Sequence, residues 1–188
     1  MEQGTEEWKQ WRRQGIGGSD APAILGFSDK ADAIDIFLDK VYGIERPVYQ
    51  WVVDWGKRIE AKVRARYSLS TDCEFPPALA DMGIFKASAD GWNPQIKIGI
   101  EIKGCGEEKA KQDTPPEGFV IQCLQNIHVF GAKHWILLRS HDGETIKEDI
   151  ILPQKRQWGK YETKLNKFWE RVQRVKALPR GSVTPDKG

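Results

Sequence analysis

Eight consecutive residues constrain this chain most: Ile96-Lys97-Ile98-Gly99-Ile100-Glu101-Ile102-Lys103 places isoleucine at every second position. Successive side chains of an extended strand point to opposite faces, so the four isoleucines face one way and Glu101 and Lys103 share the other. Eleven residues before Glu101, Asp90 closes the preceding strand-like run in Ala89-Asp90-Gly91, and a hairpin of this length brings it beside Glu101. Asp90, Glu101 and Lys103 form the candidate centre.

Two carboxylates at close quarters repel unless a hard divalent cation sits between them. Oxygen ligands of this kind suit Mg²⁺ or Mn²⁺, which keep several waters and accept phosphate oxygens. Lys103 would then orient or deprotonate an attacking water, or stabilise charge on a scissile phosphate, and the residues leave both roles open. The plainer reading is an Asp-Gly turn followed by an ordinary ion pair on a solvated strand face, and this triple alone would favour it.

Other residues shift the balance. Glu60 falls among Val53, Gly56, Val63 and Tyr67 on a helical stripe, where a carboxylate needs a cation, a metal or an ion pair with Arg64 one turn on. Gln122, on a later helix, offers an amide to a phosphate oxygen or a catalytic side chain, although a lone glutamine more often sits at the surface. Arg12-Arg13-Gln14-Gly15-Ile16-Gly17-Gly18-Ser19-Asp20 combines arginine forks, pliant backbone and a helix start, which together can cradle a phosphate. No strand precedes those glycines, and Gly56-Lys57-Arg58 lacks the rest of a P-loop, so nucleotide-cofactor readings are poor.

The remaining pattern predicts helices over 5–13 (capped by Thr5), 19–25 (capped by Ser19), 31–42 and 51–67, giving a helical first third. Strand-like runs follow at about 72–79, 83–88 and 96–103, read as an antiparallel meander. A helix over 119–130, a hairpin of 134–139 with 145–152 across Asp142-Gly143, and a long helix over 157–176 complete the order. With 188 residues the chain suits one domain: a helical segment over 1–70, a basic C-terminal helix within 153–178 and a loose tail at 179–188.

Composition removes whole classes of function. No uncharged apolar stretch is long enough to span a bilayer, and the opening Met1-Glu2-Gln3-Gly4 lacks an export leader, which predicts a soluble cytoplasmic protein. Three isolated cysteines (73, 105, 123) fit reduced thiols better than a disulfide framework or a zinc cluster, and the three histidines lack ligand spacing. Neither an acyl-transfer nucleophile nor an elbow motif is present. Most of the eight tryptophans recur at core positions, with base stacking open to Trp8 or Trp92. The net charge of +2 hides a split: residues 151–188 carry ten basic against three acidic side chains, leaving −5 for the rest. A basic end beside an acidic body suits a phosphate-binding surface next to cation-holding carboxylates, and suits a solvated helix face equally well.

Five pieces in order, Trp8…Arg12…Gly15-Ile16-Gly17-Gly18-Ser19, Trp55-Gly56-Lys57-Arg58-Ile59-Glu60, Ser88-Ala89-Asp90-Gly91, Glu101-Ile102-Lys103 and Gln122, resemble the lambda-exonuclease/YqaJ branch of the PD-(D/E)XK nucleases over roughly residues 4–140. The resemblance implies an α/β (α+β) restriction-endonuclease-like core, a mixed central sheet flanked by helices. It implies Mg²⁺, replaceable by Mn²⁺, on Asp90, Glu101 and the Ile102 carbonyl, with Lys103 positioning the water, and Glu60 (reaching the metal directly or through a water) and Gln122 completing the site. Arg12, Ser19 and Ser88 correspond to the family's pocket for a 5′-phosphate. Alanine stands before the motif Asp where proline is usual, and Arg13 doubles the arginine, so that either guanidinium is the phosphate fork.

The activity implied is 5′-to-3′ digestion of one strand of linear double-stranded DNA, leaving 3′ overhangs. Family members are similar in forming homotrimeric rings and serving a single-strand annealing recombinase of the same phage or prophage, inside a bacterial host cell. The competing readings are a PD-(D/E)XK endonuclease of restriction or junction-resolving type, and a non-catalytic DNA-binding subunit of the same fold.

Overall fold

Thr5 accepts a hydrogen bond from the Trp8 amide and starts α1 (Glu6–Arg13). Acidic Glu6 and Glu7 in its first turn and Arg12 and Arg13 in its last match the helix dipole. The computed structural model describes residues 1 and 3–178, so the tail expected at 179–188 lies outside the described residues. The glycine-rich stretch after α1 is more than a break: Ile16–Gly17 forms β1, a short strand. Then come α2 (Asp20–Ile24) and α3 (Ala33–Tyr42). Asp32 and Asp35 make a capping box that starts α3 two residues later than periodicity suggests, and Gly43, with φ +72°, ends it. Ser19 precedes α2 in helical conformation without capping it through its side chain; its hydroxyl is used elsewhere.

The fourth helix, α4 (Gln50–Thr71), is longer than its apolar stripe. Of the expected strand at 72–79, only the end is strand, because Pro76-Pro77 cannot donate to a ladder; β2 runs Ala78–Met82. Its partner β3 (Phe85–Ala89) continues past Asp90 into β4 (Gly91–Asn93), which pairs with β5 (Ile98–Gly104). The meander is therefore antiparallel as read, but it divides at Asp90 into two sheets, ordered β1-β3-β2 and β4-β5-β6-β7.

Two elements separate β5 from β6. Helix α5 (Glu107–Lys111) is short and polar and gave no periodic signal, whereas α6 (Glu117–Phe130) begins two residues before its expected start. Together they carry the chain back so that β6 (His134–Ser140) pairs parallel to β5, and β7 (Lys147–Ile151) closes the sheet antiparallel to β6. The turn between β6 and β7 is built on Asp142, whose Oδ1 accepts from the Glu144 and Thr145 amides at 2.8 Å each, with Gly143 at φ +79°. Helix α7 (Lys155–Lys176) realises the basic C-terminal helix expected within 153–178.

The alternation of β5 then decides the layers. Ile100 and Ile102, with Ile136 and Leu138 of β6, bury against Ile59, Val63 and Tyr67 of α4. Each such aliphatic burial stabilises by about 1.5–3 kcal/mol. On the opposite face Trp135 and Leu137 pack with Ile121 and Leu124 of α6, and Trp158, Tyr161, Leu165, Trp169 and Val172 extend that core along one stripe of α7. Gly99 must lack a side chain, because a Cβ there would lie 2.2 Å from the Trp135 ring. Gln125, wholly buried in α6, donates to the carbonyls of Ile16 (2.7 Å) and Lys86 (3.0 Å), tying β1 to β3.

Candidate active site

Glu101 and Lys103 emerge from β5 on the α6 side, as the alternation requires, and α6 meets them with amides one turn apart. Lys103 Nζ lies 2.8 Å from Glu101 Oε1 and donates to Gln122 Oε1 at 2.7 Å. Gln122 Nε2 donates to Glu101 Oε1 at 2.6 Å, closing a ring of carboxylate, ammonium and amide. Asn126 Nδ2 donates to the other oxygen, Oε2, at 3.2 Å.

Asp90 sits where β3 turns into β4, next to the Gly91–Ile100 register pair, and so beside Glu101. Its Oδ2 accepts from the Ile102 amide at 2.7 Å. Both carboxylates are buried, Asp90 8% and Glu101 2% exposed. Burial, then repulsion from Glu101 and Glu60, pushes the Asp90 carboxyl well above its ordinary value. Burial works against the Lys103 ammonium, but the Glu101 and Asp90 carboxylates outweigh it and raise its pKa. Glu60 lines the same cleft from α4 and is paired with Arg64, the ion pair of its plainer reading. Burial raises its pKa, Arg64 lowers it and Glu101 raises it again, with a net rise.

Among the described residues, no three His, Cys, Asp or Glu side chains converge into a ready-made cage. The cleft nevertheless presents Asp90, Glu101, Glu60 and Ile102 together, an oxygen-rich and nitrogen- and sulfur-free donor set. Mutual repulsion of its buried carboxylates is the electrostatic state that a hard cation relieves, so these residues fit Mg²⁺ or Mn²⁺.

Arg12, Ser19 and Ser88 line the same cleft. Arg12 lies over the Trp8 ring, its guanidinium carbon 4.8 Å from the centroid, and its Nη2 donates to Ser19 Oγ at 2.9 Å. The Ser88 hydroxyl is buried with no hydrogen-bond partner among the described residues. The glycines acquire a reason here. A Cβ on Gly17 would sit 2.9 Å from Arg12 Nη2, and one on Gly18 would sit 2.9 Å from Asn126 Oδ1. Their absence lets the guanidinium and α6 close onto the backbone. Arg13 is not brought to the cleft: Asp39 (2.9 Å), Glu45 (2.5 Å) and Glu6 (3.5 Å) surround it.

Three further residues belong to the site and escaped the sequence reading. Lys86 lines the cleft, 3.5 Å from Asp81 and 4.8 Å from the Trp11 centroid; it lies two before Ser88 on β3, and that spacing was a usable signal. Asn126 stands one helical turn after Gln122. Lys30 also lines the cleft, and nothing in the local sequence marks it. Trp92, a candidate for base stacking, instead stacks on Trp135 with centroids 5.9 Å apart.

Against known proteins, the model of the YqaJ-like viral recombinase domain matches residues 7–133. No curated protein matches the chain. Among solved structures, the fold is similar to the alkaline exonuclease LHK-Exo from Laribacter hongkongensis, with TM-score 0.73 at 20% identity over 90% of this chain and 93% of that one. LHK-Exo in complex with dAMP gives TM-score 0.69 at 19% identity, over the same shares of 90% and 93%. A phage-related exonuclease from Haemophilus somnus 129PT gives TM-score 0.70 at 10% identity over 89% of this chain and 97% of that one.

Proposed function

The chain belongs to the YqaJ-like viral recombinase domain family, and from that premise we propose that it is a Mg²⁺-dependent exonuclease that digests the 5′-ended strand of linear double-stranded DNA. The observation that carries the reading is the cleft itself, which Asp90, Glu101 and Lys103 line together with Arg12, Ser19 and Ser88. Asp90, Glu101 and the Ile102 carbonyl, with Glu60 beside the same cleft, would hold a Mg²⁺, which would supply Lewis-acid polarisation of the phosphate and lower the pKa of a bound water.

The chain's own residues do the rest. Gln122 fixes Lys103 against Glu101, so the ammonium has one orientation and its charge faces the scissile phosphate. From that position Lys103 orients the attacking water or stabilises charge on the scissile phosphate. Arg12 and the Ser19 and Ser88 hydroxyls offer donors to a terminal 5′-phosphate, which sets the distance from chain end to cut and makes the enzyme act from ends.

The family's description as a viral recombinase domain supports a place in recombination, where the 3′ overhangs pass to a single-strand annealing protein of the same phage or prophage. A homotrimeric ring around the duplex is part of the same proposal, and solution mass with and without DNA checks it. The discriminating assay compares 5′-phosphorylated linear duplex with covalently closed circles, with Mg²⁺ and with chelator. Release of mononucleotides from linear DNA alone, abolished by chelator, is expected; cutting of closed circles would point to an endonuclease, and uncut linear DNA to a binding subunit.

A further inference from the structure

Arg12 is not held alone. Its Nη2 pairs with Asp20 Oδ1 as well as with Ser19. The other Asp20 oxygen accepts from the Gly17 amide at 2.8 Å and lies 2.7 Å from Lys40 Nζ. Lys40 in turn donates to the main-chain carbonyl of Arg12 at 3.0 Å. One ammonium, from α3, thus grips both the backbone of Arg12 and the carboxylate that grips its side chain.

The burial of this network is unusual for its chemistry. The Lys40 side chain is 0% exposed and that of Asp20 is 6%, while Arg12, at 23%, reaches the cleft. Burying an ammonium costs several kcal/mol, and an aliphatic side chain would anchor α3 more cheaply. Its charge has a use. Asp20 by itself would neutralise Arg12, leaving an arriving phosphate to meet a spent ion pair. With Lys40 the trio carries two cations and one anion, a net +1. Asp39 lies 3.8 Å from Lys40 but already holds Arg13 at 2.9 Å. The carboxyl of Asp20 behaves accordingly: burial would raise its pKa, but Arg12 and Lys40 together hold it below the ordinary carboxylate value.

We propose that Lys40 is a positioning residue that sets the preference for 5′-phosphorylated ends: through Asp20 it fixes the Arg12 guanidinium and keeps that part of the cleft cationic. The inference rests on the reading of Arg12 as the terminal-phosphate fork.

The test measures initial digestion rates on linear duplexes of one sequence with 5′-phosphate or 5′-hydroxyl ends, and takes their ratio. Loss of a charge-assisted contact is worth about 1.5–3 kcal/mol, so Arg12→Ala and Lys40→Met should each lower the ratio about tenfold or more. The double variant D20N/K40M restores the net +1, and the introduced amide still accepts a hydrogen bond, so the ratio should climb back towards the parent. Arg12→Ala with an unchanged ratio would remove the phosphate reading itself. A collapsed ratio for Arg12→Ala beside an unchanged one for Lys40→Met would overturn only the role of Lys40, as would a double variant worse than Lys40→Met, which is the behaviour of a packing residue. Should Lys40→Met fail to fold, Lys40→Gln, whose amide can still donate to the Arg12 carbonyl while the charge is lost, carries the same comparison: the ratio should fall, and an unchanged ratio would overturn the proposal.

Discussion

Lys103 touches both Glu101 and Gln122, so it is the residue at which chemistry and architecture separate most cleanly. Lys103→Ala should slow phosphodiester cleavage by about 10²–10³-fold, the scale of losing one preorganised electrostatic contact, while circular dichroism stays that of the parent. An undiminished rate would assign catalysis elsewhere. Asp90 carries the opposite tension. Its pKa in the fold is raised above its unfolded value of about 3.9, so the fold favours the neutral acid. That contribution is intact below the unfolded value and is lost as pH rises through the higher folded one. Without divalent metal, Asp90→Asn should therefore be more stable than the parent at neutral and alkaline pH, with the difference vanishing in acid. Urea unfolding between pH 4 and 8 reads it, and a variant less stable at pH 8 contradicts the electrostatic account. At this scale the sequence announced residues with a periodic neighbour: Glu101 and Lys103 two apart on β5, and Glu60 and Arg64 one turn apart on α4. Lys40 reaches Arg12 and Asp20 across a tertiary contact and Lys30 lines the cleft from a distant segment, and no local spacing shows that.

Elements were legible where a periodic stripe or a nearby stop marked them, whatever their length: α1 and α2 lie within one residue of expectation, while α4 runs four residues past its stripe. α7 repeats its apolar stripe from Trp158 to Val172 and could be read within two residues of its start, whereas β1 is two residues among glycines and exists only because β3 lies alongside. The split of the meander at Asp90 and the parallel β5–β6 pair depend on which strands meet, a long-range choice that alternation does not encode. The short β1 nevertheless matters to the site, because its glycine backbone is the floor beneath Arg12. Gly17→Ala would place a methyl 2.9 Å from the guanidinium and 3.0 Å from Asp20 Oδ2. It should weaken the preference for 5′-phosphate about tenfold, the scale of one charge-assisted contact, with the core helices unchanged by circular dichroism. Retention of the full preference would show that Arg12 does not need that floor.

Across the whole molecule the charge split takes a physical form. The basic residues of α7 line the side away from its buried stripe, and no described helix is long and apolar enough to cross a membrane. The acidic pair lies deep between α4 and α6, at the joint of the two sheets, so the fold concentrates repulsion at one buried point and spreads cations around it. The proposed function rests on that arrangement: we propose that Asp90 and Glu101, held together against their mutual repulsion, share a metal. Manganese-soaked crystals test it most directly through the anomalous difference map. The account predicts a peak bonded to carboxylate oxygens of both Asp90 and Glu101, at about 2.1 Å. A map in which the manganese lies elsewhere, or touches only one of the two, contradicts it.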